Sequence, residues 1–282
     1  MAVKLVVDSC ADISQEEAKK LGITVIPLIV TIGDEDYLDG INLSVSEFYE
    51  KLTTSKTLPK TAQINPYRYQ EVFDELTKNG DEVICIALSS GCSGTYMSAK
   101  LASESFNGKV HVVDSLNIAM GERIFVEYAI KLIESKMSVT EIVEELERAK
   151  TKIRILAVVD TLEYMKKGGR MSAATAFAGE LLNIKPIVSI IDGKVQMIGK
   201  ARGSKKAFNF INEYVDNCGG IDDNKPYSLL YSGNDRAMIE KYEEYNKEIW
   251  EKYQMRTLQI GCTIGTHAGP GAVGIAFFEQ DK

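Results

Sequence analysis

Residues 82–105 limit the fold more than any other stretch. An apolar, β-branched run, Glu-Val-Ile-Cys-Ile-Ala-Leu, passes into Ser-Ser-Gly-Cys-Ser-Gly, and then into small and apolar residues at helical spacing. An apolar run without polar alternation is the pattern of a strand buried on both faces, as in a parallel sheet. The stretch therefore predicts a strand, a tight turn and a helix. The same grammar appears at residues 4–7, which run into Asp8-Ser-Cys-Ala-Asp12, and at 109–113, which end at Asp114-Ser115. Strands and helices in turn imply a parallel α/β sheet, whose ligands bind beyond the carboxyl ends of its strands. The loops at 8–12, 89–94 and 114–115 share that edge.

Helix starts are legible from their caps. Ser14 with Glu17, Ser44 with Glu47 and Ser138 with Glu141 have capping-box spacing, and Asn65-Pro66 places proline at a first helical position. Residues 24–31 read as one strand, 34–40 as an acidic, solvated turn, and 57–65 as a loop without periodicity that carries Thr61. The pattern changes near residue 153. Residues 186–191 and 194–198 flank Asp192-Gly193 as a β-hairpin. Residues 199–206 are basic and open a helix, and 235–251 read as one long charged helix. Residues 173–179 are small and apolar, a candidate tunnel wall or a site of close helix–sheet packing. The expected organisation is a two-domain α/β chain, with a parallel-sheet domain over residues 1–152. A smaller α+β domain with a mixed sheet covers 153–282.

A chain of 282 residues is long for one core, which favours two domains. Its net charge of −7 disfavours nucleic acid as the main partner, since phosphate neutralisation needs a basic face. The five cysteines are odd in number and scattered, without a CxxC pair, so neither a metal nor a disulfide framework is expected. No segment has the length to span a bilayer, and the N-terminus enters a strand without a signal-peptide layout. A cytoplasmic location is the expectation.

The turn at 89–94 combines hydroxyls, two glycines and the N–H groups of a following helix, which suits a carboxylate or a phosphate. An ordinary N-cap, with Ser93 or Thr95 closing a helix end, fits the same residues, and both readings stay open here. Ser93 as a nucleophile is an alternative, but the second glycine falls one residue too early for GxSxG. Only His111 and His267 are available as a base, and His111 sits inside a strand. A phosphate-ligand enzyme would use the same loop, yet the chain lacks GxxxxGK[ST]. A transcriptional regulator would need a basic recognition helix. Arg170, after Lys-Lys-Gly-Gly, and Arg202, within Gly-Lys-Ala-Arg-Gly, read either as solvated surface or as a basic edge for phosphates.

Collected in order, these stretches resemble the DegV family of bacterial proteins. The matching pieces are Val-Val-Asp8-Ser9, Thr61-Ala-Gln, the Ser-Ser-Gly-Cys-Ser-Gly-Thr-Tyr turn and Leu162-Glu-Tyr-Met-Lys-Lys-Gly-Gly-Arg170. To these add Leu182-Asn-Ile-Lys-Pro-Ile187, Gly199-Lys-Ala-Arg-Gly203 and Ile264-Gly-Thr-His-Ala-Gly-Pro-Gly271. The resemblance implies two α/β domains holding one long-chain fatty acid between them, with no other cofactor. In some members this is the non-catalytic subunit of a bacterial fatty acid kinase that feeds phospholipid synthesis. A separate ATP-using subunit then phosphorylates the carboxylate. By resemblance, Thr61 and Ser93 would hydrogen-bond the carboxylate, with His267 close by. Arg170 and Arg202 would form an edge that docks the kinase and its phosphates. Where the family often reads Thr-Ser-Gln-Pro, this chain has Thr61-Ala62-Gln63-Ile64, a departure that bears on the loop's rigidity alone.

Overall fold

The computed structural model describes residues 2–171 and 183–280; the candidate tunnel wall at 173–179 lies outside them. The strands of the first half, in chain order, are β1 (Val3–Asp8), β2 (Thr24–Ile26), β3 (Ile29–Ile32), β4 (Glu35–Leu38), β5 (Lys60–Ala62), β6 (Glu82–Ala87) and β7 (Val110–Asp114). Four of them form a parallel sheet in the order β2-β1-β6-β7. Val6, Val7, Ile84, Cys85 and Ile86 are completely buried, as expected for strands covered on both faces. The helices Pro66–Thr77, Thr95–Ser103 and Ala119–Glu134 supply the cover.

A second, six-stranded sheet is built from β8 (Ile153–Val158), β9 (Ile184–Ile191), β10 (Lys194–Arg202), β11 (Ser228–Tyr231), β12 (Thr257–Gln259) and β13 (Val273–Phe278). Its order is β10-β9-β8-β13-β11-β12, antiparallel except where β11 meets β12. The chain is thus a parallel-sheet α/β half followed by a mixed-sheet half, and the mixed sheet is the wider. Among the described residues no helix is long and apolar enough to cross a membrane.

Several local expectations need correction. Residues 24–31 are two strands, not one, because Pro27 has no N–H for a ladder and the chain leaves the parallel sheet there. The stretch 34–40 is not simply a solvated turn. It contains β4, which pairs with β3, and it ends in Asp39, only 5 % exposed. The loop at 57–65 contains β5, antiparallel to β3 with Thr61 opposite Val30, so a strand fixes Thr61 despite the departure at Ala62 and Ile64. Arg202 ends strand β10 opposite Ile184 instead of lying in a helix-opening turn. The helix starts only at Ser204, and Gly199 lets it pack closely, since a Cβ there would stand 2.7 Å from the Phe210 ring. The long helix at 235–251 is broken into Ala237–Tyr245 and Lys247–Tyr253. At the break, the Asn246 side chain donates to the Tyr242 carbonyl and accepts from Asn212. At residue 14 only half a capping box forms, because Glu17 turns instead to Arg123.

Candidate functional site

The parallel strands end in loops that are tied together by buried carboxylates. Asp8 accepts from the Cys10 N–H at 3.0 Å and from the Leu88 N–H at 2.8 Å, joining the loops after β1 and β6. Burial pushes its carboxyl up to about 6 despite these bonds. The turn after β6 is locked to the hairpin of the other half. Ser89 Oγ donates to the Gly193 carbonyl at 2.6 Å, and a Cβ on Gly91 would lie 2.5 Å from that same oxygen. The glycines of this turn therefore serve close protein packing. Neither has a positive φ, and a Cβ on Gly94 would stand 2.0 Å from Gln63 Oε1.

Between the halves lies a cavity of about 570 Å³ of empty space, solvent at its opening included. Its polar lining comes from Thr61, Gln63, Ser93, Arg170, Thr263 and His267, and Cys10, Leu28, Leu88, Ile118, Met165 and Val195 supply much of the apolar remainder. Four residues singled out in the sequence, Thr61, Ser93, Arg170 and His267, thus share one cavity although they span more than two hundred positions. Arg202, exposed at the end of β10, does not line it. His111 stays in β7, with Nε2 3.8 Å from Glu82.

Thr61 Oγ1 lies 2.8 Å from His267 Nε2. His267 lies in the last turn of the seven-residue helix Cys262–Ala268, and its buried Nδ1 has no hydrogen-bond partner among the described residues. Burial, reinforced by the Arg170 cation, pulls the imidazole down to about 4, so it is neutral at pH 7. Ser93 Oγ accepts from the Thr95 N–H at 3.2 Å and lies 3.0 Å from Thr95 Oγ1. The N-cap is Gly94, without a side-chain cap, and not Ser93, whose hydroxyl ties down the first helical residue locally and also lines the cavity. His267 meets Thr61 and not Ser93, so the serine–histidine pair of an esterase is not the contact formed here.

Arg170 reaches the cavity through the glycine pair before it. The short helix Glu163–Lys167 ends at Gly168, where a Cβ would stand 2.3 Å from His267 Nδ1, and Gly169 takes φ +70°. The Arg170 guanidinium donates to the Gly168 carbonyl at 2.7 Å and to the Cys92 carbonyl at 3.4 Å. Cys92 also lines the cavity, and burial pushes its thiol up to about 11. Among the described residues no group of three or more His, Cys, Asp or Glu side chains is arranged to hold a metal ion.

Adjoining this cavity is a second, inner chamber of about 450 Å³ of empty space, open solvent included, walled by Ile155, Ala157, Val159, Val188, Leu230 and Ile260 among others. The two share Ile118, Met165, Val195, Ile264 and Ala268 as a common wall. Among the described residues Ser189 brings the inner chamber's one hydroxyl, and that donates to the Ile155 carbonyl at 2.8 Å. Sequence reading missed the inner chamber, because its residues are indistinguishable from core until the mixed sheet is placed against the helices that face it.

Residues 2–280 match the model of the DegV family, which is described as a family of uncharacterised proteins. The chain belongs to the DegV family. A DegV domain-containing protein of Caldanaerobacter subterraneus subsp. tengcongensis is 36% identical over 279 residues, covering 99% of each chain. A fatty-acid-binding DegV family protein of Thermus thermophilus superposes with a TM-score of 0.88 at 30% identity, over 99% of this chain and 100% of its own. DegV of Bacillus subtilis, a fatty acid binding protein, gives 0.84 at 32% identity, over 99% and 100%. The Thermus thermophilus and Bacillus subtilis proteins are both described as binding fatty acids.

Proposed function

We propose that this chain binds one long-chain fatty acid between an N-terminal domain, residues 1–152, and a C-terminal domain, residues 153–282. The carboxylate sits on Thr61 and Ser93 near His267, and the tail fills the inner chamber. The observation that carries this reading is the shared wall between a largely apolar chamber that carries a cluster of polar groups and a second that is almost wholly apolar. An amphiphile with one anionic end fits both, and the fatty-acid-binding relatives support that choice. Burying about sixteen carbons contributes roughly 0.8 kcal/mol per CH₂, on the order of 12 kcal/mol gross. That exceeds the several kcal/mol needed to desolvate a carboxylate with good hydrogen bonds.

The proton positions suit an anion. With the imidazole proton on Nε2, His267 donates to Thr61 Oγ1 and leaves the threonine O–H free to donate outward. With Thr95 Oγ1 donating to Ser93 Oγ, the serine O–H is free in the same way. Two hydroxyls then face one carboxylate, and Arg170 balances its charge.

The protein is the non-catalytic subunit of a fatty acid kinase system. A separate ATP-using subunit transfers the γ-phosphoryl group to a carboxylate oxygen. The new O–P bond forms as the bond to ADP breaks, giving an acyl phosphate. Arg170 meets the phosphates at the chamber, and Arg202 contacts the kinase from outside it.

Native mass spectrometry of the purified protein, followed by denaturing lipid extraction, tests the binding. A bound aliphatic acid of a few hundred daltons is expected. Only apo mass, with no thermal shift on adding palmitate or oleate, contradicts it. For the kinase step, Arg202→Ala should keep the lipid and lose acyl-phosphate formation in a coupled assay with kinase and ATP. Full phosphorylation by that variant removes Arg202 from the docking edge.

A further inference from the structure

The helix that carries His267 has only seven residues, and a helix this short is not stable alone in water. Its N-cap, Gly261, provides no side-chain cap. Its first turn is held instead by carboxylates from distant loops. Asp12 Oδ1 accepts from the Gly261 N–H at 2.9 Å. Asp39 Oδ2 accepts from the Thr263 N–H at 3.1 Å, from Thr263 Oγ1 at 2.6 Å and from Ser9 Oγ at 3.1 Å. Ser9 Oγ in turn accepts from the N–H of Leu28, which lines the cavity.

Thr263 and His267 are four positions apart, so the two lie on one face of the helix, about 6 Å apart along its axis. Both line the cavity. The opposite side is tightly packed as well, since a Cβ on Gly265 would lie 2.7 Å from Phe48 and from the Tyr49 hydroxyl. A helix held by its first turn and pressed from behind has one remaining freedom, rotation about its axis. The two hydrogen bonds that Asp39 accepts from the Thr263 main chain and side chain fix that rotation. A carboxylate beside the first N–H groups is also favoured by the helix dipole.

We propose that Asp39 is a positioning residue for the head group of the ligand: by clamping Thr263 it sets the rotation of the helix Cys262–Ala268 and so the place of His267 against Thr61. This rests on the reading that His267 and Thr61 meet the carboxylate. Asp39 does not itself line the cavity.

The test uses imidazole NMR of the full-length protein without ligand, where two histidines give separable signals. In Asp39→Ala and in Thr263→Val, the His267 ¹⁵N and Cε1–H signals should move away from wild type while those of His111 stay. Palmitate should bind both variants about tenfold more weakly. Thr263→Ser keeps the hydroxyl and should restore both the signals and the affinity. Unmoved His267 signals in either folded variant overturn the proposal, and so does a Thr263→Ser protein as perturbed as Thr263→Val. If Asp39→Ala does not fold, the Thr263 pair decides alone. A wild-type protein that binds no palmitate defeats the lipid reading, whereas the His267 signals still judge the clamp.

Discussion

The outer chamber is lined by Thr61, Ser93, Arg170 and His267, whereas the inner one is lined by Ile155, Val188, Leu230 and Ile260. The outer chamber draws its polar groups from loops, the short strand β5 and the short helix Cys262–Ala268, held by hydrogen bonds across distant parts of the chain. Asp8, Asp39 and the Gly193 carbonyl are the main anchors. The inner chamber draws on strands and helices of the core and needs only packing. The difference teaches a division of labour. A polar chamber gives position and modest affinity through a few directed bonds, and an apolar chamber gives affinity in proportion to the area it covers.

The largest expected effect concerns the polar chamber's charge. His267 titrates at about 4 in the fold, against about 6.5 in the unfolded chain. Between those values the unfolded state binds more protons, so stability falls as the pH drops from about 6.5 to about 4. The contribution is on the order of 3 kcal/mol. Asp8, raised to about 6, acts with the opposite sign, because there the fold keeps the proton. The two slopes partly cancel in the wild type. The comparison to make is therefore urea unfolding of wild type against His267→Gln. The wild type should lose its advantage over the variant by that amount between pH 7 and pH 4. A pH-independent difference would mean that the chamber is wetter than the described burial.

The next effect is on the apolar side. Ala157 lies on β8 within the inner wall, and Ala157→Phe places a ring where tail carbons would go. Losing about three to four buried CH₂ groups weakens palmitate roughly a hundredfold, with a ten-carbon acid much less affected. Isothermal titration with both acids checks this. Equal losses for the two would show that the inner chamber does not hold the tail end.

On the polar side, Ser93→Ala removes one hydrogen bond to a charged group, about 1.5–3 kcal/mol. Affinity should fall tenfold or more, by the same factor for every chain length, with the melting temperature little changed. Thr61→Ala should do likewise and also strip His267 of its Nε2 partner. Unchanged dissociation constants in both variants would move the carboxylate elsewhere. The smallest effect is expected at Arg202, outside both chambers. Arg202→Ala should keep palmitate affinity within about twofold, and a larger loss would extend the lipid site to the end of β10.

The two regions also differ in how far the sequence reveals them. The parallel strands, the hairpin and most caps are local patterns, and they fall close to where periodicity and turn residues put them. Ser93 is legible as one of several hydroxyls in a glycine-containing turn, whereas Thr61, an isolated loop threonine, and His267 are assigned to the head group through the resemblance to the DegV family. Their meeting depends on pairings such as Thr61 with Val30, for which residues 57–65 carry no periodic signal. Asp39 was hidden for a related reason. In sequence it is one acid in an acidic run, and only the fold turns it inward to Thr263 while Asp34 and Glu35 stay exposed. The inner chamber was hidden most completely, since the residues that line a void and those that fill a core are the same.

The central claim is that the outer chamber fixes one end of a fatty acid while the inner chamber supplies affinity. Dissociation constants for saturated acids of increasing length, in wild type and Ser93→Ala, test it most directly. Each added CH₂ should tighten binding about fourfold until the inner chamber is full, from roughly 0.8 kcal/mol per CH₂. The Ser93→Ala line should run parallel and weaker. A wild-type affinity independent of chain length, or a variant line that converges with it as the tail grows, would contradict the account.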